Sequence, residues 1–348
     1  MLNVVDHIPD GLLSSDARTL WKALPGPTLI HLPGRRPEPL FVSVLLHGNE
    51  TTGLEAIQRL LLRFDGRMLP RNLSVLVGNV EAARHGQRRL PGQADFNRIW
   101  SGGSGPENAM AAEVLDGLRR RGVFAAVDVH NNTGLNPHYA IVNKVNDRDL
   151  KLASAFGRTV VYSAHPESTC SVAFSHLCPS LTLECGIPGT EHGVDHVLSF
   201  LEGCLHLSEI SDSPIHPQDI DLFHSVAIVK VPRRISFSFG THATDIQFFP
   251  EIDHLNFREV DAETPIARLQ PGSGARLEVW NEHGEDVADR FFKVDDDLIK
   301  TAVPLMPSML TQREDIVRMD CLCYLMVRMQ LPALAGVDLL GAQERELR

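Results

Sequence analysis

Between residues 41 and 207, short apolar runs alternate with segments whose apolar residues recur at helical spacing. No other feature of the 348-residue chain restricts its fold as much. Runs of strand length stand at 41–46, 73–77, 123–129, 139–143, 159–162 and 180–183. Helical patterns stand at 54–64, 107–121, 147–156 and 191–207, and a further helix is expected near 15–23. Near-continuous apolar strands separated by helices predict an α/β fold with a mixed, mostly parallel sheet and flanking helices. From about 212 the pattern changes. Pro214 and Pro217 punctuate the chain, and alternating segments follow at 226–231, 235–239, 246–249, 276–280 and 291–294 with few helix signals between them. The expected organisation is therefore a domain over 1–211 and a smaller β-rich domain over 212–348, the latter carrying a helix over 316–329.

Charge and cysteine usage narrow the function classes. A net charge of −11 opposes a nucleic-acid surface, which needs a basic patch, and opposes docking on an anionic membrane. An anionic small-molecule substrate would have to be drawn in by locally placed arginines against the field of the whole protein. The opening residues MLNVVDHIPDGLL have no basic start and no long apolar core, so no signal peptide is expected, and no run reaches membrane-span length. The six cysteines (Cys170, Cys178, Cys185, Cys204, Cys321, Cys323) follow no framework spacing, which suits reduced thiols in a cytoplasmic protein.

Three of the strand-like runs end in residues suited to metal-assisted hydrolysis, at the strand ends where open α/β sheets bind ligands. The first ends in His47-Gly48-Asn49-Glu50, the second in Asp128-Val129-His130-Asn131-Asn132, the third in Leu183-Glu184-Cys185-Gly186. His-x-x-Glu alone is weak in a chain with 16 histidines and 44 acidic residues. Three charged ends on otherwise apolar strands are far more specific, because such groups are costly to bury unless paired or metal-bound. His47, Glu50 and His130 make a three-ligand set that leaves one zinc position open. Asp128, two residues before His130 on the same strand face, is placed to accept the second ring N–H of that histidine; the alternative is a turn-capping Asp. Glu184 is suited to general base and then acid work on the attacking water and the leaving nitrogen, and a structural ion pair to an arginine is its bland alternative. Arg88, Arg89, Asn97 and Arg98 supply planar forks and a neutral donor for a substrate carboxylate; exposed solubilising arginines are the alternative, which fits one of Arg88 and Arg89 better than Arg98.

Taken in order, His47-Gly48-Asn49-Glu50-x-x-Gly53, Asp95-Phe96-Asn97-Arg98, Asp128-x-His130-Asn131-x-Thr133 and Thr182-Leu183-Glu184-x-Gly186 resemble the succinylglutamate desuccinylase/aspartoacylase family, a branch of the zinc carboxypeptidase-like fold. The resemblance spans roughly 41–210. It implies one zinc ion per chain on His47, Glu50 and His130, with Glu184 as catalytic acid/base. It also implies substrate anchoring by Asn97 and Arg98, with Asn131 beside them, and carbonyl polarisation by Arg89 or Arg88. The chain departs from the family pattern between Arg89 and Asp95, where Leu-Pro-Gly-Gln-Ala looks a residue longer than usual. A substrate-binding tyrosine from the C-terminal part, used by some members, has no evident counterpart between 211 and 323.

His192-x-x-x-His196 would place two rings on one helix face, but without a third ligand it makes a poor second metal site. His138 and His165 are placed to line the cleft or the surface. The function expected is hydrolysis of an N-acyl amino acid or similar small amide. A carboxypeptidase on the same fold and a non-catalytic binding module are the alternatives. Assembly into a homo-oligomer, with the β-rich part narrowing its own or a neighbour's cleft, stays open.

Overall fold

A computed structural model describes residues 1–240 and 242–331. In the first half the elements run β1 (Asn3–Val5), β2 (Thr28–Leu32), β3 (Gly34–Val44), α1 (Thr52–Arg63), β4 (Leu69–Val77), α2 (Val80–His85), α3 (Pro106–Arg121), β5 (Ala125–His130) and β6 (Tyr139–Val142). They continue with α4 (Asp147–Phe156), β7 (Thr159–Tyr162), α5 (Cys170–Ser175), β8 (Ser180–Glu184) and α6 (Glu191–His206). The remainder is β9 (Asp221–Lys230), β10 (Phe237–Phe239), β11 (Ile246–Phe248), β12 (Pro265–Leu269), β13 (Glu278–Asn281), α7 (Ala288–Phe291), β14 (Phe292–Asp295), β15 (Leu298–Thr301), β16 (Met306–Ser308), α8 (Glu314–Met319) and β17 (Cys323–Arg328).

The architecture is mixed α/β, with one large sheet in the order β1-β2-β4-β3-β5-β8-β6-β7-β9-β17-β16. Its centre, β4-β3-β5-β8, is parallel. Alternation along these strands sends side chains to opposite faces. Val42, Val44, Val127 and Leu181 pack with α1, α4 and α6, whereas Phe41, Leu76 and Ala126 pack with α3, α5 and Trp100 on the other side. Both faces are thus covered, which explains why the strands are apolar throughout rather than alternating.

β9 carries the chain out of this core. Its first residues pair in parallel with β7, and its later residues pair antiparallel with β13, while β17 runs antiparallel along its other edge. The large sheet therefore extends past residue 212. A second, five-stranded sheet, β10-β11-β12-β15-β14, stands over its own apolar cluster.

Two expected helices are corrected. Near 15–23 the chain makes only 3₁₀ turns at Leu12–Ser14 and Leu20–Lys22. There the Asp16 carboxylate takes the Thr19 N–H (2.8 Å) and Ser15 Oγ donates to the Gly11 carbonyl (2.8 Å), so side chains compete with helical bonding. Over 316–329 helix survives only as the end of α8; β17 follows because β9 offers it an open edge and the apolar run is short enough to fit either period. Positions 332–348 of the expected C-terminal domain lie outside the described residues.

Candidate metal centre and active site

β3, β5 and β8 are neighbours, and their carboxyl ends build the site. Register places Ser43 beside Asp128 and His130 beside Glu184. After β3 the buried Leu45 adopts a left-handed φ of 54°, turning the chain into the loop that carries His47 and Glu50. That loop is clamped from above. Gly48 donates its N–H to the Arg88 carbonyl (3.1 Å), and a Cβ on Gly48 would sit 2.1 Å from the backbone nitrogen of Ala83 in α2.

Within this frame four polar atoms converge. Glu50 Oε1 lies 2.9 Å from His47 Nδ1, Glu50 Oε2 lies 2.8 Å from His130 Nδ1, and the two Nδ1 atoms are 3.2 Å apart. The other nitrogen of each ring faces a carboxylate: His47 Nε2 meets Asp95 Oδ1 at 3.0 Å and His130 Nε2 meets Asp128 Oδ2 at 2.8 Å. A ring N–H on Nε2 would donate to these carboxylates and turn both Nδ1 atoms toward Glu50 as potential ligands. Lone pairs and a carboxylate gathered in a buried pocket repel one another unless a cation joins them. Potential ligand atoms of His47, Glu50 and His130 all lie within 4.8 Å of one another, and this is the one such group among the described residues. The donor set therefore fits a divalent metal of the zinc class.

The electrostatics agree. Burial works against the Glu50 charge, but the His47 and His130 imidazoles override it and hold the carboxyl well below its usual range. Burial also pushes His130 down, yet Asp128 and Glu50 outweigh it and raise the ring well above its ordinary value. Asp95 is likewise held low, against burial, chiefly by His47 and then Arg88. A divalent ion bound between the rings and Glu50 would offset the same surplus of negative charge. Glu184 behaves differently. Burial, reinforced by Glu50, pushes it up to about 8. Its Oε2, Asn49 Oδ1 and Asn132 Nδ2 are buried without a protein partner, and all three residues line one cleft with His47, Glu50 and His130.

The remaining expected residues are placed as follows. Asp128 is fixed from behind by Ser43, whose hydroxyl donates to Oδ1 (2.6 Å). Asn97 sets its amide nitrogen 3.2 Å from His130 Nε2, and its oxygen accepts the Cys170 N–H (2.8 Å). Asn131 is used structurally: its N–H donates to Glu50 Oε2 (3.1 Å), and its amide donates to Thr52 Oγ1 (2.9 Å) and the Gly186 carbonyl (2.8 Å). Arg98 lines the cleft and donates to the Asn97 carbonyl (2.8 Å).

Arg88 and Arg89 part company. Arg88 enters the cleft and reaches Glu50 (3.4 Å), Asp95 (3.3 Å) and Asp320 (3.6 Å). Arg89 turns to the Gln93 carbonyl (3.0 Å) and is not among the lining residues, so a catalytic role for Arg89 has no support from its position. His138 and His196 meet at 2.8 Å and His192 stacks on His138, but the three do not converge on one point as the metal set does. Sequence reasoning missed Asp95 as partner of His47, although a ligating histidine needs such an acceptor and Asp95 opens the Asp-Phe-Asn-Arg motif. It also missed Asp320 and Tyr324, which line the cleft because β17 pairs with β9.

Residues 39–194 match the family model of the succinylglutamate desuccinylase/aspartoacylase catalytic domain. The matched segment contains both histidines, Glu50, the Asp95–Arg98 motif and Glu184. An 81-residue stretch is 38 % identical to the succinylglutamate desuccinylase of Pseudomonas paraeruginosa and 41 % identical to that of Pseudomonas fluorescens. These matches cover 22 % of this chain and 24 % of each relative, so the chain spans about a quarter of the length of the curated relatives it matches. Solved structures extend the likeness in fold to most of the chain. The succinylglutamate desuccinylase of Chromobacterium violaceum superposes with a TM-score of 0.56 at 18 % identity, covering 86 % of this chain and 87 % of that one. A succinylglutamate desuccinylase/aspartoacylase from Rhodobacter sphaeroides gives 0.58 at 15 %, covering 86 % and 88 %. Murine aminoacylase 3 gives 0.55 at 16 %, covering 87 % and 99 %.

Proposed function

We propose that the protein is a zinc-dependent amidohydrolase that cleaves the amide bond of an N-acyl amino acid or a similar small, carboxylate-bearing amide. The observation that carries this reading is the convergence of His47 Nδ1, His130 Nδ1 and the Glu50 carboxylate in one cleft with Glu184, whose buried Oε2 has no hydrogen-bond partner. Two further features support it: residues 39–194 match a catalytic domain of this family, and the relatives are named for removing succinyl groups.

His47, Glu50 and His130 would hold one zinc ion, with Asp95 and Asp128 orienting the two rings. Zinc bound there supplies a Lewis acid for the carbonyl and lowers the pKa of water. Glu184 needs to lose and regain a proton within one turnover. Its position near 8 in the metal-free site stands close to working pH, and a nearby cation would draw it lower and ready it as a base. It would take a proton from the attacking water and return it to the leaving nitrogen. Arg88, half-buried and charged, is the arginine available to the carbonyl oxygen; Arg98 and Asn97 offer donors to a substrate carboxylate. A small anionic substrate needs no nucleic-acid or membrane surface, and among the described residues no helix is long and apolar enough to cross a membrane. Incubating the zinc-loaded protein with N-acetyl and N-succinyl amino acids and short peptides tests the reading. Release of free amino acid from the first two groups is expected; release from peptides alone would move the assignment to a carboxypeptidase.

A further inference from the structure

Three histidines stand together outside the catalytic cleft. Helix α6 carries His192 and His196 one turn apart on one face, and His138, which leads into β6, sits against both. The His138 ring stacks on His192 with centroids 5.0 Å apart and on His196 at 5.1 Å. None of the three is among the residues that line the cleft. His138 thus supplies the third ring that the His-x-x-x-His spacing lacked on its own.

Two of these rings are already held as ligands are held. His196 Nε2 lies 2.6 Å from the Phe156 carbonyl, which only accepts, so a neutral His196 keeps its proton there and turns the Nδ1 lone pair away. The Phe156 ring stacks on the same imidazole at 4.2 Å and fixes its orientation. A carbonyl on the outer nitrogen and a packed ring are the supports a ligating histidine uses. His196 Nδ1 stands 2.8 Å from His138 Nδ1. Two nitrogens on one tetrahedral zinc ion are about 3.3 Å apart. A small parting of the rings therefore admits an ion in place of their hydrogen bond, with the His138 proton moving to its Nε2. His192 is exposed, so a turn about its side-chain bonds brings a third nitrogen to the same point. Counter-charge is directed elsewhere: Glu191 and Asp195 of α6 both pair with Arg59. Burial and the neighbouring rings push His138 down to about 4, and burial lowers His196 too, so both are neutral and able to ligate at neutral pH.

We propose that His138, His192 and His196 bind a second divalent metal ion of the zinc class, tying α6 to the start of β6. An all-imidazole set suits zinc, copper or nickel rather than magnesium or calcium. It is the weaker of the two sites. Its ligands are neutral and one of them is drawn in from solvent, whereas the Glu50 carboxylate gives the catalytic centre a negative charge. One equivalent of zinc therefore goes to His47, Glu50 and His130, and the histidine cluster fills only beyond it. The second site does not depend on the deacylase reading.

Calorimetric titration of the metal-stripped whole protein with zinc chloride tests this without turnover. Two ions per chain are expected, the second bound more weakly than the first. His192→Ala and His138→Gln should each weaken the second ion by at least about tenfold, since losing even an outer partner of a ligand costs that much, and should leave the first unchanged. His192 is exposed, so its replacement keeps the fold, and circular dichroism checks both variants. Copper(II) added to protein already carrying one equivalent of zinc should show imidazole nitrogen splitting in its electron paramagnetic resonance spectrum, and the folded His192→Ala variant should lose part of it. A single ion unaffected by either variant, or a second ion that both variants still bind as the parent does, overturns the histidine site. A single ion that His192→Ala removes leaves this site standing and overturns the catalytic metal assignment instead.

Discussion

Replacing Asp128 by Asn probes how the two histidines are made into ligands. Asp128 is 2 % exposed; its Oδ2 accepts the Nε2–H of His130 at 2.8 Å, and its Oδ1 is held by the Ser43 hydroxyl at 2.6 Å. Asn has the same shape, so packing is preserved. It removes the negative charge that favours electron donation through the imidazole. It can also present NH₂ toward Nε2, which moves the ring proton to Nδ1 and blocks the ligand position. Losing a partner of this kind typically weakens metal binding about 10–100-fold, or about 1.4–2.7 kcal/mol. Asp95→Asn applies the same change to His47 through the 3.0 Å contact at its Nε2. Zinc affinity measured by competition with a chromophoric chelator at neutral pH should fall in both variants while far-UV circular dichroism stays unchanged. Zinc affinities within about threefold of the parent in both variants would refute the claim that these carboxylates set which nitrogen faces the metal.

Other consequences can be checked separately. Glu184→Gln should keep zinc bound while hydrolysis of N-acyl amino acids drops by about 10²–10⁴-fold; full activity with zinc retained would remove Glu184 from proton transfer. Arg88→Gln should lower kcat by about 10²–10³-fold if its guanidinium polarises the carbonyl, whereas Arg89→Gln, whose side chain meets the Gln93 carbonyl, should leave kcat near the parent value. Zinc competes with a proton for the His130 ring, whose pKa is raised, and favours the charged form of Glu184, which burial pushes up to about 8, so zinc affinity should strengthen as pH rises toward about 8. Calorimetry in buffers of different ionisation enthalpy would show the proton release, and a pH-independent affinity would contradict it. Because Glu184 is raised from its ordinary 4.5 to about 8, its protonated form stabilises the metal-free fold fully below about 4.5, and that contribution is lost as pH climbs through 8.

Much of the α/β core was legible because buried parallel strands are continuous apolar runs. β7 and α4 fall where the pattern places them, and β8 runs one residue longer to include Glu184. β3 begins earlier than its apolar run, at Gly34, because Gly34 and Arg36 pair with Leu69 and Arg71 in a stretch partly exposed to solvent. His47, Glu50, His130 and Glu184 stood out as charges at the ends of such runs, and the β3-β5-β8 adjacency brings them together. What pattern could not supply was long-range register. Asp320 and Tyr324 reach the cleft only because β17 pairs with β9, some hundred residues earlier in the chain, and an apolar run of that length reads equally as helix. Tyr324 thereby brings a tyrosine from the C-terminal part of the chain to the cleft. Arg88 and Arg89 were inseparable for a similar reason: adjacent residues in an irregular loop diverge according to which carboxylates the fold brings near.

A crystal of the zinc-loaded protein measured at the zinc absorption edge tests the central claim most directly. The account predicts one anomalous peak about 2.0–2.2 Å from His47 Nδ1, His130 Nδ1 and a Glu50 oxygen, with Glu184 alongside but not bound. A peak elsewhere, coordination through the Nε2 atoms, or Glu184 as a ligand would contradict it.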